Sequence, residues 1–211
     1  MSAGLIQLFI GPGCPHCSGM IKITSDLVKT GKIARLEIIN IEQDMDTPTK
    51  LGIRSVPAFK IGSFVLTGVH TGDELLDWME KTDSESGLSN YLNQAFENGE
   101  LDKVIAEISR QNEWLDHCLS MLVDLETPLT SRIAISAVFE HFQNSDQLQR
   151  LIPKMCKFTD SNHESVRVDV AYILGLTGDI SALSCLESLA NDSFDDVRES
   201  ARDAVEMIRS L

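Results

Sequence analysis

The chain lacks the marks of several large functional classes. No apolar run approaches the roughly 18–20 residues that a membrane span needs. No charged leader with an apolar segment and a small-residue cleavage site precedes the first apolar run, so a cytoplasmic protein is expected. Basic residues are few: 18 Lys and Arg against 32 Asp and Glu, a formal net charge of -14. Such a surface repels phosphate backbones and anionic lipid, so neither nucleic acid nor a membrane is an expected partner. The acidic excess is uneven. Through Thr82, 8 basic residues nearly balance 9 acidic ones, whereas the remainder carries 10 against 23. That excess reads mainly as a solvated face.

Cysteine is also scarce. Five residues, an odd number, do not suggest a secreted disulfide framework, and they fit a reducing compartment with one active pair. There is one C-x-x-C, so no four-thiolate zinc or iron–sulfur site is expected. His117, His141 and His163 show no ligand spacing, and His70 reads as a surface-loop histidine. Gly11-Pro12-Gly13 does not extend into a dinucleotide fingerprint, and no phosphate-binding loop is present. No metal and no cofactor are expected. Cys118, Cys156 and Cys185 fall in apolar helical patterns and read as buried structural cysteines.

What is present is Cys14-Pro15-His16-Cys17. The preceding Leu5–Ile10 reads as a buried strand, and Gly11-Pro12-Gly13 breaks it. After Cys17, the residues Met20, Ile21, Ile23, Leu27 and Val28 recur at roughly helical spacing. The two thiols are thus expected on a strand-to-helix turn, with Cys14 at the helix start. Unpaired N–H groups and the helix dipole favour an anion there and lower the thiol pKa. Pro15 stiffens the turn, and a protonated His16 favours the thiolate. A stabilised thiolate makes the disulfide form the better oxidant.

Around this turn, residues 33–41 read as a second strand. A short helix starts at Asp44 or Asp46 and ends near Leu51-Gly52. Ala58–Ile61 and Phe64–Thr67 flank Gly62-Ser63 as a hairpin. Thr71 or Asp73 caps a helix carrying Leu75, Leu76 and Met79, giving β-α-β-α-β-β-α. Lys81–Gly87 reads as a polar linker between a first domain, residues 1–82, and a second, all-helical domain, residues 88–211. In the tail, Val166-Arg167 with Val170, Ala171 and Leu174 returns as Val197-Arg198 with Ala201, Val205 and Ile208, about 31 residues on. Asp160-Ser161-Asn162 and Asn191-Asp192-Ser193 precede these copies and suit helix capping. A looser copy begins near Ser131.

Over residues 5–80 the chain resembles the thioredoxin superfamily. The C-x-x-C follows the first strand, Ser55-Val56-Pro57 lies about 40 residues beyond Cys17, Gly68 follows the fourth strand, and the element order agrees. The resemblance implies an α/β domain with a cis peptide bond before Pro57, which faces the disulfide, and a Val56 backbone free to bind an extended substrate segment. It implies a thiol–disulfide oxidoreductase with Cys14 as nucleophile and Cys17 as resolving thiol. Two positions depart from thioredoxin: Gly13 stands where its motif has Trp, and Leu8 where it has a buried Asp. Cys-Pro-His-Cys resembles the motif of the DsbA-type oxidases, and the Gly-Pro-Gly entry looks like glutaredoxin-like or minimal thioredoxins. Residues 129–211 resemble HEAT-like helical repeats, which implies a protein partner on that surface. The expected function is redox exchange with a protein disulfide or dithiol, the helical domain selecting the partner. The alternative is a redox-sensing adaptor in which the helices scaffold a complex and the dithiol is a switch.

Overall fold

A computed structural model describes residues 4–82 and 84–210. The chain divides into two compact units between Tyr91 and Leu92. In the first, β1 (Leu5–Ile10), α1 (Cys17–Lys29), β2 (Arg35–Asn40), α2 (Asp46–Lys50), β3 (Ala58–Ile61), β4 (Phe64–Thr67) and α3 (Gly72–Lys81) follow in order. The sheet order is β2-β1-β3-β4, with β1 parallel to β2 and antiparallel to β3. β1 lies inside the sheet, so Ile6, Leu8 and Phe9 are fully buried, as the continuous apolar run requires. This is a thioredoxin-like mixed sheet with helices.

Local chemistry explains the ends of the elements. α1 buries Cys17, Met20, Thr24 and Leu27, a stripe at three- and four-residue steps. Thr24 is tolerated in that stripe because its hydroxyl donates to the Met20 carbonyl at 2.8 Å. α3 starts in a capping box: the Glu74 N–H donates to Thr71 Oγ1 at 3.2 Å, and the Thr71 N–H donates to Glu74 Oε2 at 2.8 Å. That second bond holds the Glu74 carboxyl below its ordinary pKa. Thr71, rather than Asp73, is therefore the cap.

The expected linker has more structure than its polarity suggests. α3 runs to Lys81 and α4 (Glu85–Glu97) starts four residues later. Ser84 Oγ accepts the Gly87 N–H at 3.0 Å, closing the first turn of α4. Asp83 lies outside the described residues. Tyr91, on α4, completes the first unit. Its hydroxyl donates to the Val65 carbonyl at 3.2 Å and accepts the Val65 N–H at 3.4 Å. The ring stacks on Phe64 with centroids 4.8 Å apart. β4 is an edge strand, and this pairing occupies backbone groups that the edge would otherwise present.

The second unit is helix-rich. After the end of α4 come α5 (Leu101–Ile108), α6 (Glu113–Val123), α7 (Leu129–His141), α8 (Asp146–Gln149), α9 (Ile152–Met155), α10 (Glu164–Leu176), α11 (Leu183–Leu189) and α12 (Asp195–Arg209). Two 3₁₀ segments, Cys156–Phe158 and Ile180–Ala182, join them. The 31-residue recurrence lands on α10 and α12, which pack extensively together. Among the described residues no helix is long and apolar enough to cross a membrane.

Two expectations change here. The Asp and Asn clusters do not cap α10 and α12, whose first flanking residues, His163 and Phe194, make no side-chain cap. Asp192 instead takes two hydrogen bonds from the Arg167 guanidinium, at 2.7 and 2.9 Å. A buried guanidinium needs a carboxylate more than a helix end open to water needs a cap. The scattered cysteines also differ from expectation. Cys118 is buried and free, but Cys156 and Cys185 are only part-buried and form a second disulfide with Cα atoms 5.5 Å apart. Cysteine number therefore no longer argues for a reducing compartment with one active pair.

Two stability measurements follow. Replacing Cys156 and Cys185 by serine removes a crosslink spanning 29 residues and is expected to destabilise the helical unit by about 3 kcal/mol, read from its urea transition. An unmoved transition would show that the bridge does not constrain the unfolded chain. For the ion pair, Arg167 holds the Asp192 carboxyl below its ordinary pKa. Its contribution is therefore present at neutral pH and disappears as pH falls through that lowered value. Asp192→Asn is expected to cost about 2 kcal/mol at pH 7, with the gap to the parent closing below about pH 4.

Candidate active site

β1 delivers the chain to Gly11, and the redox turn is built on its end. The Cys14 N–H donates to the Gly11 carbonyl at 3.4 Å, and the Cys17 N–H donates to the Cys14 carbonyl at 3.4 Å. Between them Gly13 has φ +74°, a left-handed conformation that glycine adopts without steric cost. A tryptophan, as in thioredoxin's motif, would be strained at this backbone. Cys14 and Cys17 are bonded, with Cα atoms 5.5 Å apart. Cys14 is part-exposed, Pro15 and His16 are exposed, and Cys17 is 5% exposed. The two cysteines thus differ in exposure, the outer one part-exposed and the inner one covered.

One detail differs from expectation. α1 begins at Cys17 with His16 as the flanking residue, so Cys14 precedes the helix instead of starting it. Pro15 and His16 occupy the intervening turn. The Ser18 and Gly19 N–H groups have no backbone acceptor among the described residues. This positive helix end therefore lies at Cys17, whose sulfur is the bonding partner of the Cys14 sulfur.

The Val56–Pro57 peptide is cis. A side-chain carbon added at Gly11 would lie 3.4 Å from Val56 Cγ2 and 3.3 Å from Ile41 Cγ1. The loop before β3 therefore lies against the strand end that carries the cysteine turn, and a side chain at position 11 would need Ile41 to give by a few tenths of an ångström. The Pro57 carbonyl is occupied by the Gly68 N–H at 2.9 Å. The Val56 N–H and carbonyl have no hydrogen bond among the described residues. A donor and an acceptor left unpaired on a bend before a strand can pair with a visiting extended chain.

Leu8 is fully buried, opposite Ile38 and Phe59 in the sheet. An alkyl chain cannot take a proton from the resolving thiol, so the Leu8 position supplies no internal base. His70 is more fixed than a free surface loop residue. Its ring meets Phe59 edge-on at 5.6 Å, and Nε2 lies 3.2 Å from the Thr67 carbonyl. Sequence reasoning missed the contact of Gly11 with Val56 and the fastening of Pro57 by Gly68. Gly11 stood out only as a strand breaker, and its neighbours in space are 30 and 45 positions away.

Residues 5–80 match the family model described as a thioredoxin domain. Over 79 residues the chain is 29% identical to a protein named "Probable Thioredoxin" from Archaeoglobus fulgidus, an overlap covering 36% of this chain and 87% of that one. The N-terminal part is thus a thioredoxin-like domain with its Cys-x-x-Cys pair at disulfide distance, followed by a helical region.

The difference in access is measurable. In the reduced protein, iodoacetamide at pH 8 is expected to modify Cys14 at least about ten-fold faster than Cys17. Burial pushes the Cys118 thiol up to about 12, so it stays protonated and is expected to react only after unfolding. Peptide mapping over time checks all three. Equal rates at Cys14 and Cys17 would contradict the inner and outer assignment.

Proposed function

We propose that this protein is a thiol–disulfide oxidoreductase acting on protein disulfides through Cys14 and Cys17, and that its helical unit selects the protein partner. The observation that carries the reading is the part-exposed Cys14 bonded to a covered Cys17, beside a cis-Pro57 loop whose Val56 backbone is unpaired. An extended substrate segment pairs with Val56 and brings its cystine to the turn. The Cys14 thiolate attacks one substrate sulfur, and the other leaves as a thiolate. Cys17, after losing its proton to solvent, attacks the Cys14 sulfur and releases the substrate reduced. The reverse sequence oxidises a dithiol. His16, exposed next to Cys17, favours the thiolate when protonated, and Pro15 holds the turn.

The recurrence on α10 and α12 supports a HEAT-like arrangement, whose extended surfaces suit protein partners. Tethering such a surface to a redox turn raises the effective concentration of the bound partner's cystine.

Turnover distinguishes this reading from a redox-sensing adaptor. With a dithiol reductant in excess, the full chain is expected to reduce insulin disulfides catalytically, and Cys14→Ser is expected to lower the rate at least about a hundred-fold. Cys17→Ser is expected to retain substrate as a mixed disulfide on Cys14. A parent protein no faster than its Cys14→Ser variant would leave the dithiol as a switch, not a catalyst.

A further inference from the structure

The helical unit brings together two cysteines that the redox turn does not use. Cys156 opens the 3₁₀ segment after α9, and Cys185 lies within α11. Both are part-exposed. Each backbone is fastened apart from the bridge: the Thr159 hydroxyl donates to the Cys156 carbonyl at 2.8 Å, and the Ser188 hydroxyl donates to the Cys185 carbonyl at 2.7 Å. The 3₁₀ segment and α11 also both pack on α10. If the sulfurs part, the scaffold still holds the two residues as neighbours, which favours closing again over drifting apart. The two sulfurs are not equivalent. Ser184 Oγ lies 3.9 Å from Cys185 Sγ, and its hydroxyl can donate to a departing thiolate there.

From this arrangement we infer that Cys156–Cys185 is a second, reversible redox site, opened by the Cys14/Cys17 dithiol of another copy of this chain. The inference rests on the exchange chemistry proposed for Cys14 and Cys17, and it names a substrate for it. The Cys14 thiolate attacks the Cys156 sulfur. The Cys156–Cys185 bond breaks, and Cys185 leaves with the electron pair, stabilised by Ser184. Cys17 then attacks the Cys14 sulfur, the Cys14–Cys17 bond forms, and Cys156 leaves as a thiolate. Two electrons pass from one dithiol to the other disulfide. The protons lost by Cys14 and Cys17 enter solvent, and Cys156 and Cys185 take theirs from solvent, so no further oxidant or reductant is consumed.

The test mixes two full-length proteins. The acceptor is Cys14→Ser/Cys17→Ser, air-oxidised; the donor is Cys156→Ser/Cys185→Ser, reduced with dithiothreitol and freed of it. Alkylation and peptide mapping count thiols at each position over time. Two thiols at Cys156 and Cys185 are expected per donor disulfide formed, at least ten-fold faster than with a donor also carrying Cys14→Ser. A Cys17→Ser donor is expected to be trapped on Cys156, not on Cys185. The same donor is assayed on insulin. Reduction of insulin with the acceptor left oxidised overturns this inference and leaves the proposed function standing. Failure on both substrates overturns both. An acceptor in which Cys156 and Cys185 both remain free thiols after oxidation also overturns the inference. If the donor variant does not fold, reduced ¹⁵N-labelled parent protein replaces it, and isotope mass assigns each thiol to its molecule.

Discussion

The site depends on one close approach. The end of β1 and the loop before β3 meet at Gly11 and Val56, where an added side-chain carbon would lie 3.4 Å from Val56 Cγ2. That contact puts the strand end bearing the cysteine turn against the loop that holds cis-Pro57, and the Val56 backbone makes no hydrogen bond among the described residues. The rest of the first unit serves this approach. β1 and β3 are held side by side in the sheet, Gly68 fixes the Pro57 carbonyl from behind, and α1 carries Cys17 into the apolar core. The two bonded cysteines end up unequally buried, Cys17 covered and Cys14 part-exposed.

The second unit uses charge and sulfur where the first uses a sheet. Arg167 and Asp192 tie the start of α10 to the segment before α12, with Phe194 lying against the guanidinium at 5.5 Å. Arg132 pairs with Asp169 between α7 and α10, and Lys154 pairs with Asp116 between α9 and α6. Cys156–Cys185 adds a covalent tie between successive layers. Arg132, Lys154 and Arg167 thus offset carboxylate charge on other elements, whereas Arg110 and Arg198 pair with carboxylates three residues away in their own segments.

Much of the first unit was legible because its signals are local. A C-x-x-C after a buried strand, Val-Pro before another strand, Gly62-Ser63 between two β-rich runs and Thr71 three residues before Glu74 each act over a few positions. The errors share a different origin. Within the polar stretch, Lys81 ends one helix and Ser84 to Gly87 start the next, and polarity alone does not separate a cap from a linker. Asp192 looked like a cap because a capping carboxylate and an ion-paired one have the same residue type. Cys156 and Cys185 looked inert because each lies in an apolar pattern, and nothing within either pattern indicates the other.

The amino-acid order by itself determined the elements of the sheet, their succession, the Cys14–Cys17 pair and the helical character of the described residues beyond the sheet. These rest on periodicity, backbone stereochemistry and hydrogen bonding within a turn or two. Tertiary structure alone decided that Gly11 touches Val56, that Tyr91 covers the β4 edge, that Arg167 claims Asp192 and that Cys156 finds Cys185. Each of those pairs is separated by 25 to 45 residues. Chain closure over such distances is governed by how whole elements pack, and no short stretch of sequence encodes that.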